Sequence, residues 1–361
     1  NLGNARQIYF FTRLDIKKIF LRDLSGYLAY PILAIGWTIF IDASAWALLI
    51  GHMGRLFFSA LSTYLLYPKM PRFSFEFRKL FKFLDYGKWV AGQNVLDYFI
   101  GVVDQVFVGR ILDIGKLGFY TKANDFSSTV SNFLMSIIKK ISFFTYSSLQ
   151  NEMKKIQEGF LKSLDIVLLV MVPLAVVLLL EGDFLVRILL GEKWIPMTIS
   201  LKILAVAHLV NAISGLAYPL FNALGMPKIN FYISLLRLGL SVPLYYVGTR
   251  LWGLTGISLA VTLIALTVLI FTVWQTRTVL GLGIGRITPT IKQISVAVFP
   301  MMILIALFHN FLQTASGFYV VIGWLAVLGV VYVGSLWSFG DKTTGPKSTL
   351  ITILREFDIL S

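Results

Sequence analysis

Long apolar runs recur along this chain and are separated by short polar segments rich in lysine and arginine. A helix needs about 20 residues to cross the hydrocarbon core of a bilayer. Ten runs of about that length are predicted to form helices, at residues 24–41, 45–67, 87–109, 118–138, 162–181, 198–224, 229–248, 252–274, 294–311 and 317–338. The pattern therefore predicts an all-α, polytopic membrane protein with about ten transmembrane helices.

Composition supports the membrane class and excludes several kinds of site. Of the 361 residues, 57% are hydrophobic and 14% are charged, whereas soluble domains have about 25% charged residues. The chain has no cysteine, which excludes disulfides, thiolate zinc sites and cysteine nucleophiles. Its three histidines lie far apart in the sequence, which argues against a histidine metal cluster. No metal and no cofactor are expected.

The net charge of +14 is distributed in a way that predicts orientation. Of the 32 lysines and arginines, 23 fall in the N-terminal segment, alternate loops and the tail, and six fall on the opposite side. Cytoplasmic loops of membrane proteins carry such an excess of basic residues. Both ends are therefore predicted to be cytoplasmic, and the positive charge does not indicate a nucleic-acid partner.

A basic segment between the second and third runs is predicted to form an amphipathic helix on the cytoplasmic leaflet. Its apolar residues recur at helical spacing, with basic residues on the other flank: Phe73, Phe77, Leu80, Phe81 and Leu84 against Arg78, Lys79 and Lys82. Two interpretations stay open, namely a hinge that links two lobes and a basic interfacial anchor. The tail after Phe339 is polar at first and too short to span a membrane.

Charged residues inside the runs are the candidate functional residues, because a charge in hydrocarbon costs a few kcal/mol at least and normally faces a cavity or a partner. Asp97 and Asp104 lie seven residues apart and thus on nearly the same helix face. They either pair with Arg237 or Arg55 as structural ion pairs, or they titrate or bind a cation while the protein changes state.

Three further charged residues have more than one interpretation. Arg237 lies in mid-span and favours a position facing a cavity. Arg55 lies nearer one end of its run, where its long side chain can also reach the interface. Asp125, which lies near Lys122, can belong either to structural ion pairs or to the functional group of charges.

An ordered set of motifs over residues 10–275 resembles a known family. The motifs are Asp104 with Val108-Gly109-Arg110-Ile111-Leu112, then Gly118, Tyr120 and Ala123, then Phe144 with Ser148 to Gln150, then Pro173, Gly191-x-Lys193-Trp194, Leu224-Gly225-x-x-Lys228 and Gly253-x-x-Gly256. In their order and spacing they resemble the polysaccharide transporters of the multidrug, oligosaccharidyl-lipid and polysaccharide flippase superfamily. The chain departs from that pattern at Thr145, where the family usually has proline after phenylalanine.

The resemblance implies a two-lobed architecture with six helices in each lobe. In that arrangement, residues 1–67 hold the last two helices of the N-terminal lobe, and 68–86 form the linker between lobes. Residues 87–275 form the C-terminal lobe, 290–338 form an extra helix pair, and 339–361 form a cytoplasmic tail. The first four helices are then expected to be missing upstream, which agrees with a chain that begins at Asn1 and not at methionine.

The resemblance also implies a function: flipping of undecaprenyl-linked oligosaccharides across the cytoplasmic (inner) membrane by alternating access, for O-antigen, capsule or exopolysaccharide synthesis. Such a cargo needs cations for its diphosphate and aromatic or hydroxyl groups for its sugars. The expected cavity residues are Arg237, Arg55, Asp97, Asp104, Asp125, Lys122 and Tyr120. Expected partners are membrane lipids, a polysaccharide polymerase and glycosyltransferases, and transport is expected to be coupled to a proton or sodium gradient.

Three alternatives stay open on the residues alone. A multidrug-type exporter of small cationic or aromatic compounds would favour an acidic cavity, whereas Arg55 and Arg237 favour an anionic cargo. A membrane polymerase or acyltransferase of the same pathway would usually carry its catalytic groups on a sizeable loop, and no catalytic cluster is visible. No sequence feature excludes a nontransporting scaffold. Because no catalytic cluster is visible, the chain is predicted not to be an enzyme.

Overall fold

A computed structural model describes residues 16–66, 77–314, 317–341 and 345–356, and regular structure within these ranges is helical throughout. We label the α-helices α1 (Ile16–Phe40), α2 (Ala45–Leu66), α3 (Phe77–Ile111), α4 (Ile114–Ser148), α5 (Met153–Leu190), α6 (Thr198–Gly215), α7 (Ala217–Ala223), α8 (Pro227–Leu280), α9 (Thr288–Thr314), α10 (Phe318–Phe339) and α11 (Pro346–Glu356). Short 3-10 turns lie at Glu192–Met197 and Ile284–Arg286. The predicted all-α class is confirmed.

Each predicted apolar run falls on a helix. In the described part of the chain, six stretches are long and apolar enough to cross a membrane: α2, α5, α8, α10, the segment Glu192–Ala223 and Thr288–His309 of α9. Helices α1, α3 and α4 cover the remaining runs but are less apolar. The protein is therefore a multi-pass membrane protein, while the count of ten spans stays a prediction.

The 54-residue helix α8 contains a sharp reversal and corresponds to two predicted runs. Trp252 and Gly253 have non-helical backbone angles, and Gly253 has φ +57° and ψ −131°, a conformation that only glycine adopts readily. A Cβ atom on Gly248 would lie 2.6 Å from the carbonyl oxygen of Gly256. Residues eight apart in a straight helix lie about 12 Å apart, so the two halves of α8 fold back and touch at these glycines.

The chain divides into two compact units, Asn1–Phe81 and Lys82–Ser361. In the first unit, α1 and α2 pack through small residues, which allow membrane helices to approach closely. A Cβ atom on Gly51 would lie 2.9 Å from the Tyr30 carbonyl oxygen, and the Ser62 hydroxyl donates to Ser25 Oγ at 2.7 Å. This unit contains the two helices that the sequence assigns to the N-terminal lobe.

The second unit holds helices α4 to α11 and most of α3. Its core is a continuous apolar cluster, whose largest fully buried side chains are Tyr120, Tyr146, Phe221, Ile156 and Met171. Within the predicted linker 68–86, α3 begins at Phe77 and continues unbroken into the span. Residues 67–76 lie outside the described part of the chain. The assignment of lobes stays a prediction.

A tight connection joins α3 to α4. Asp113 caps the first turn of α4, and its side chain accepts a hydrogen bond from the Lys116 backbone N–H at 2.7 Å. That N–H stabilises the carboxylate form and holds the pKa of Asp113 below its ordinary value. The cap fixes the point at which α4 begins and thereby the direction in which its polar residues face.

The polar tail forms a helix, α11, that the sequence did not predict. The buried Asp165 carboxylate on α5 accepts hydrogen bonds from Thr290 Oγ1 on α9 at 2.7 Å and from Thr349 Oγ1 on α11 at 2.9 Å. Lys347 Nζ donates to the carbonyl oxygens of Trp337 and Gly340 at the end of α10. These bonds fasten α11 to three other helices of the unit.

We expect Asp165→Ala to release α11, because it removes the acceptor of both threonine hydroxyls. Hydrogen bonds to charged groups contribute about 1.5–3 kcal/mol each, and about 1.4 kcal/mol corresponds to a tenfold change in the open population. Lys347 is only 4% exposed in the folded protein. Trypsin should therefore cut after Lys347 at least about tenfold faster in the variant.

Thr352→Ala is the matched control, since the Thr352 hydroxyl is exposed and donates only within α11, to the Ser348 carbonyl oxygen. Its cleavage rate should equal that of the wild type. Equal rates for Asp165→Ala and wild type would show that Asp165 does not hold the tail helix.

Candidate functional site

A polar cavity of about 690 Å³ lies inside the second unit, among α3, α4, α6, α7 and α8. Its polar lining consists of Gln93, Asn94, Asp97, Asp104, Asn124, Ser128, Ser131, Asn132, Lys139, His208, Asn211, Tyr218, Asn222, Arg237 and Tyr245. So many hydrogen-bonding groups within a bundle of membrane helices are costly unless they face water or a ligand. This cavity is therefore the candidate functional site.

The two carboxylates of α3 both line the cavity, as their spacing on one helix face predicted. Asp97 accepts hydrogen bonds from Ser234 Oγ at 2.7 Å and from Gln93 Nε2 at 3.2 Å. Asp104 accepts one from the Tyr120 hydroxyl at 2.8 Å. Neutral donors thus satisfy both carboxylates, and no cation of the described residues lies in direct contact with them.

Two cations line the same cavity. Among the described residues, the Arg237 guanidinium makes no hydrogen bond and no ion pair within 4.0 Å, although it interacts electrostatically with Asp104. Lys139 Nζ lies 5.6 Å from the centre of the Tyr218 ring. The interpretation of Arg237 as a structural partner of the carboxylates therefore has no direct contact to support it here. Both cations can bind an anionic ligand.

Amide side chains make up a large share of the lining, with five asparagines and one glutamine. His208 Nε2 lies 3.1 Å from Asn124 Oδ1, and Asn222 Oδ1 accepts from Asn230 Nδ2 at 2.9 Å. Amides present both donors and acceptors, which matches the paired donor and acceptor character of sugar hydroxyls. The lining can thus bind a neutral, hydroxyl-rich group beside an anionic one.

Sequence reasoning missed Lys139, His208 and the asparagines. It placed Lys139 in a cytoplasmic connection at 139–161, because the lysine ends an apolar run. The structure corrects this, since α4 continues to Ser148 and Lys139 lines the cavity. A signal was present on α4, where Asn124, Ser128, Ser131 and Lys139 fall on one helix face.

The other predicted site residues lie elsewhere. Tyr120 is fully buried and reaches the site only through its hydrogen bond to Asp104. Lys122 and Asp125 are exposed and do not line this cavity, and Lys122 Nζ lies 5.9 Å from the centre of the Trp194 ring. Arg55 belongs to the first unit, where its guanidinium lies 4.5 Å from the centre of the Tyr27 ring.

Known proteins of similar sequence point to one family. Residues 2–199 match the family model described as polysaccharide biosynthesis protein. Lipopolysaccharide biosynthesis protein WzxC of Escherichia coli K12 is 22% identical over 62% of this chain and 43% of its own length. Teichuronic acid biosynthesis protein TuaB of Bacillus subtilis is 25% identical over 63% and 46%. Succinoglycan biosynthesis transport protein ExoT of Rhizobium meliloti is 20% identical over 53% and 39%.

The fold also has a counterpart of known structure. The lipid II flippase MurJ, in an inward closed conformation, superposes with a TM-score of 0.61 at 14% identity, over 94% of this chain and 68% of that protein. The chain spans less than half the length of the three relatives named above. Because the family model covers more than half of the chain, and because the helical fold agrees, this protein belongs to the polysaccharide biosynthesis protein family, as the sequence motifs predicted.

Proposed function

We propose that this chain is part of a flippase that moves undecaprenyl-linked oligosaccharides across the cytoplasmic membrane for the synthesis of a surface polysaccharide. The observation that carries the proposal is the cavity of about 690 Å³, lined by two cations and six side-chain amides, inside a unit of membrane helices. Three relatives carry names that refer to lipopolysaccharide, teichuronic acid and succinoglycan, which are all surface or secreted polysaccharides.

The two parts of the cargo match two parts of the lining. A diphosphate and its sugars cannot cross a hydrocarbon core unaided, because unpaired polar groups there cost several kcal/mol each. Arg237 and Lys139 would bind the diphosphate, and a charge-assisted hydrogen bond contributes about 1.5–3 kcal/mol. The asparagines, His208 and Tyr218 would bind the sugars. The polar lining of the cavity would thus replace the hydrogen bonds that the head group loses when it leaves water.

The charge state of the cavity favours this cargo over a small cationic compound. An exporter of cations would need carboxylates that are free to bind them. Here Asp97 and Asp104 are engaged by neutral donors, while Arg237 makes no ion pair in the described part of the chain. Transport would proceed by alternating access of two lobes, coupled to a proton or sodium gradient.

Three further features belong to the same proposal. The chain acts as a transporter and not as an enzyme such as a polymerase or acyltransferase. It lies in the inner membrane with both ends in the cytoplasm, as the distribution of lysine and arginine supports. A polysaccharide polymerase and glycosyltransferases are its functional partners, since they would consume and supply the lipid-linked unit.

The test is to delete the full-length gene and to ask on which leaflet the lipid-linked sugar accumulates, using a membrane-impermeant probe on oriented vesicles. We expect accumulation on the cytoplasmic leaflet, reversed by the wild-type gene. An intermediate that reaches the periplasmic leaflet and stalls there unpolymerised would overturn the proposal in favour of an enzyme or a scaffold.

A further inference from the structure

A second group of ionisable residues lies outside the cavity, near the far end of α5. Glu181 interrupts this helix with non-helical angles of φ −113° and ψ 16°. Its side chain is buried, with the residue 1% exposed. A buried acid at a bend in a membrane helix is costly in its charged form and is rarely found without a role.

The partner of Glu181 comes from a different helix. His309 Nδ1 on α9 lies 3.4 Å from Glu181 Oε1, so the contact joins α9 to the bend of α5. Within the described part of the chain, Glu181 Oε2 is buried and has no hydrogen-bond partner. A carboxylate that is desolvated and only half satisfied is unfavourable unless it binds a proton or faces an imidazolium.

The remaining charges around Glu181 form their own pair. Asp183 on α5 and Lys202 on α6 make a salt bridge beside it, and among the described residues these two and His309 are the charged groups that interact electrostatically with Glu181. Because Lys202 is engaged by Asp183, it compensates Glu181 only in part. The charge balance at the bend therefore depends on whether the pair of Glu181 and His309 holds one added proton or is a carboxylate beside a neutral ring.

We propose that Glu181 and His309 form a proton-binding site that links protonation to the packing of α9 against the bend of α5. When the pair holds an added proton, the buried carboxyl is neutral or faces an imidazolium, and α9 stays packed. When the proton leaves, a buried carboxylate faces a neutral ring, and the end of α9 separates so that water reaches the acid. Low pH therefore favours the packed state, because that state binds more protons.

The experiment measures the distance between the two helices as a function of pH. Spin labels go on Leu179→Cys in α5 and Leu307→Cys in α9, both exposed positions in a chain that has no cysteine of its own. In a series of measurements from about pH 5 to about pH 8, we expect a short distance at low pH and a longer one at high pH. The ratio of the two populations should change by up to about tenfold per pH unit, as for one proton.

Glu181→Gln should remain packed at both pH values, because its amide is neutral, whereas Glu158→Gln, which removes an exposed acid of the same helix, should keep the transition. Infrared difference spectra of the protein without spin labels provide a second measurement, in which a protonated carboxyl band should appear at low pH and be absent in Glu181→Gln. A distance between the labels that does not change with pH, or a transition that persists in Glu181→Gln, would overturn the proposal. Neither measurement needs a substrate, so the result stands apart from the proposed transport.

Discussion

An Arg237→Ala variant of the full-length protein is expected to export surface polysaccharide at least about tenfold more slowly than the wild type, while reaching the membrane in normal amount. Loss of one charge-assisted contact to a phosphate costs about 1.5–3 kcal/mol, which corresponds to about a 10- to 100-fold loss. The folded state should be little affected, because the Arg237 guanidinium makes no ion pair among the described residues. The effect should therefore appear in transport and not in stability.

Two matched variants sharpen that measurement, which is made by complementing a deletion strain and quantifying polymer at the cell surface. Arg237→Lys keeps the positive charge and should recover part of the activity, although it loses the planar fork that binds phosphate in a bidentate manner. Lys122→Ala removes an exposed cation outside the cavity lining and should export normally. Normal export by Arg237→Ala would remove this residue from the mechanism.

Gly256→Ala is expected to destabilise the protein by about 3 kcal/mol or more, at the upper end of the usual cost of overpacking. A Cβ atom on Gly256 would overlap the Gly248 carbonyl oxygen, which is a backbone atom and cannot move aside by changing a rotamer. The two halves of α8 would have to separate, and several buried residues along α8 would lose contacts. Thermal unfolding of the purified protein in detergent should show a clearly lower Tm.

Gly239→Ala is the control within the same helix. A Cβ atom at Gly239 would meet no other atom within 4 Å, so the alanine fits without strain. Alanine also has a higher helix propensity than glycine, by about 1 kcal/mol in exposed positions of soluble helices. The Tm of this variant should be unchanged or slightly higher. Equal Tm values for both variants would contradict the close packing of the two halves of α8.

Much of the fold and part of the site followed from the order of residues alone. Apolar runs of membrane length must form helices, because lipid offers no partner for backbone N–H and C=O groups. Helical periodicity then placed Asp97 and Asp104 on one face before any contact was known. The same reasoning placed a break at residues 249–251, between two predicted runs, and the structure reverses just after it, at Trp252 and Gly253.

The tertiary structure decided what each charge faces. Lysine at the end of an apolar run can reach the interface or a cavity, and only the packing of α4 against α6 and α7 placed Lys139 in the cavity. Burial of the Asp165 carboxylate needed two threonines from 125 and 184 residues further along the chain. Likewise, Glu181 meets His309 only because α9 packs beside α5. The sequence by itself determined which segments are helices in a membrane, since backbone hydrogen bonding is local. Long-range packing determined which polar side chains share a cavity, since those contacts join residues that the sequence keeps far apart.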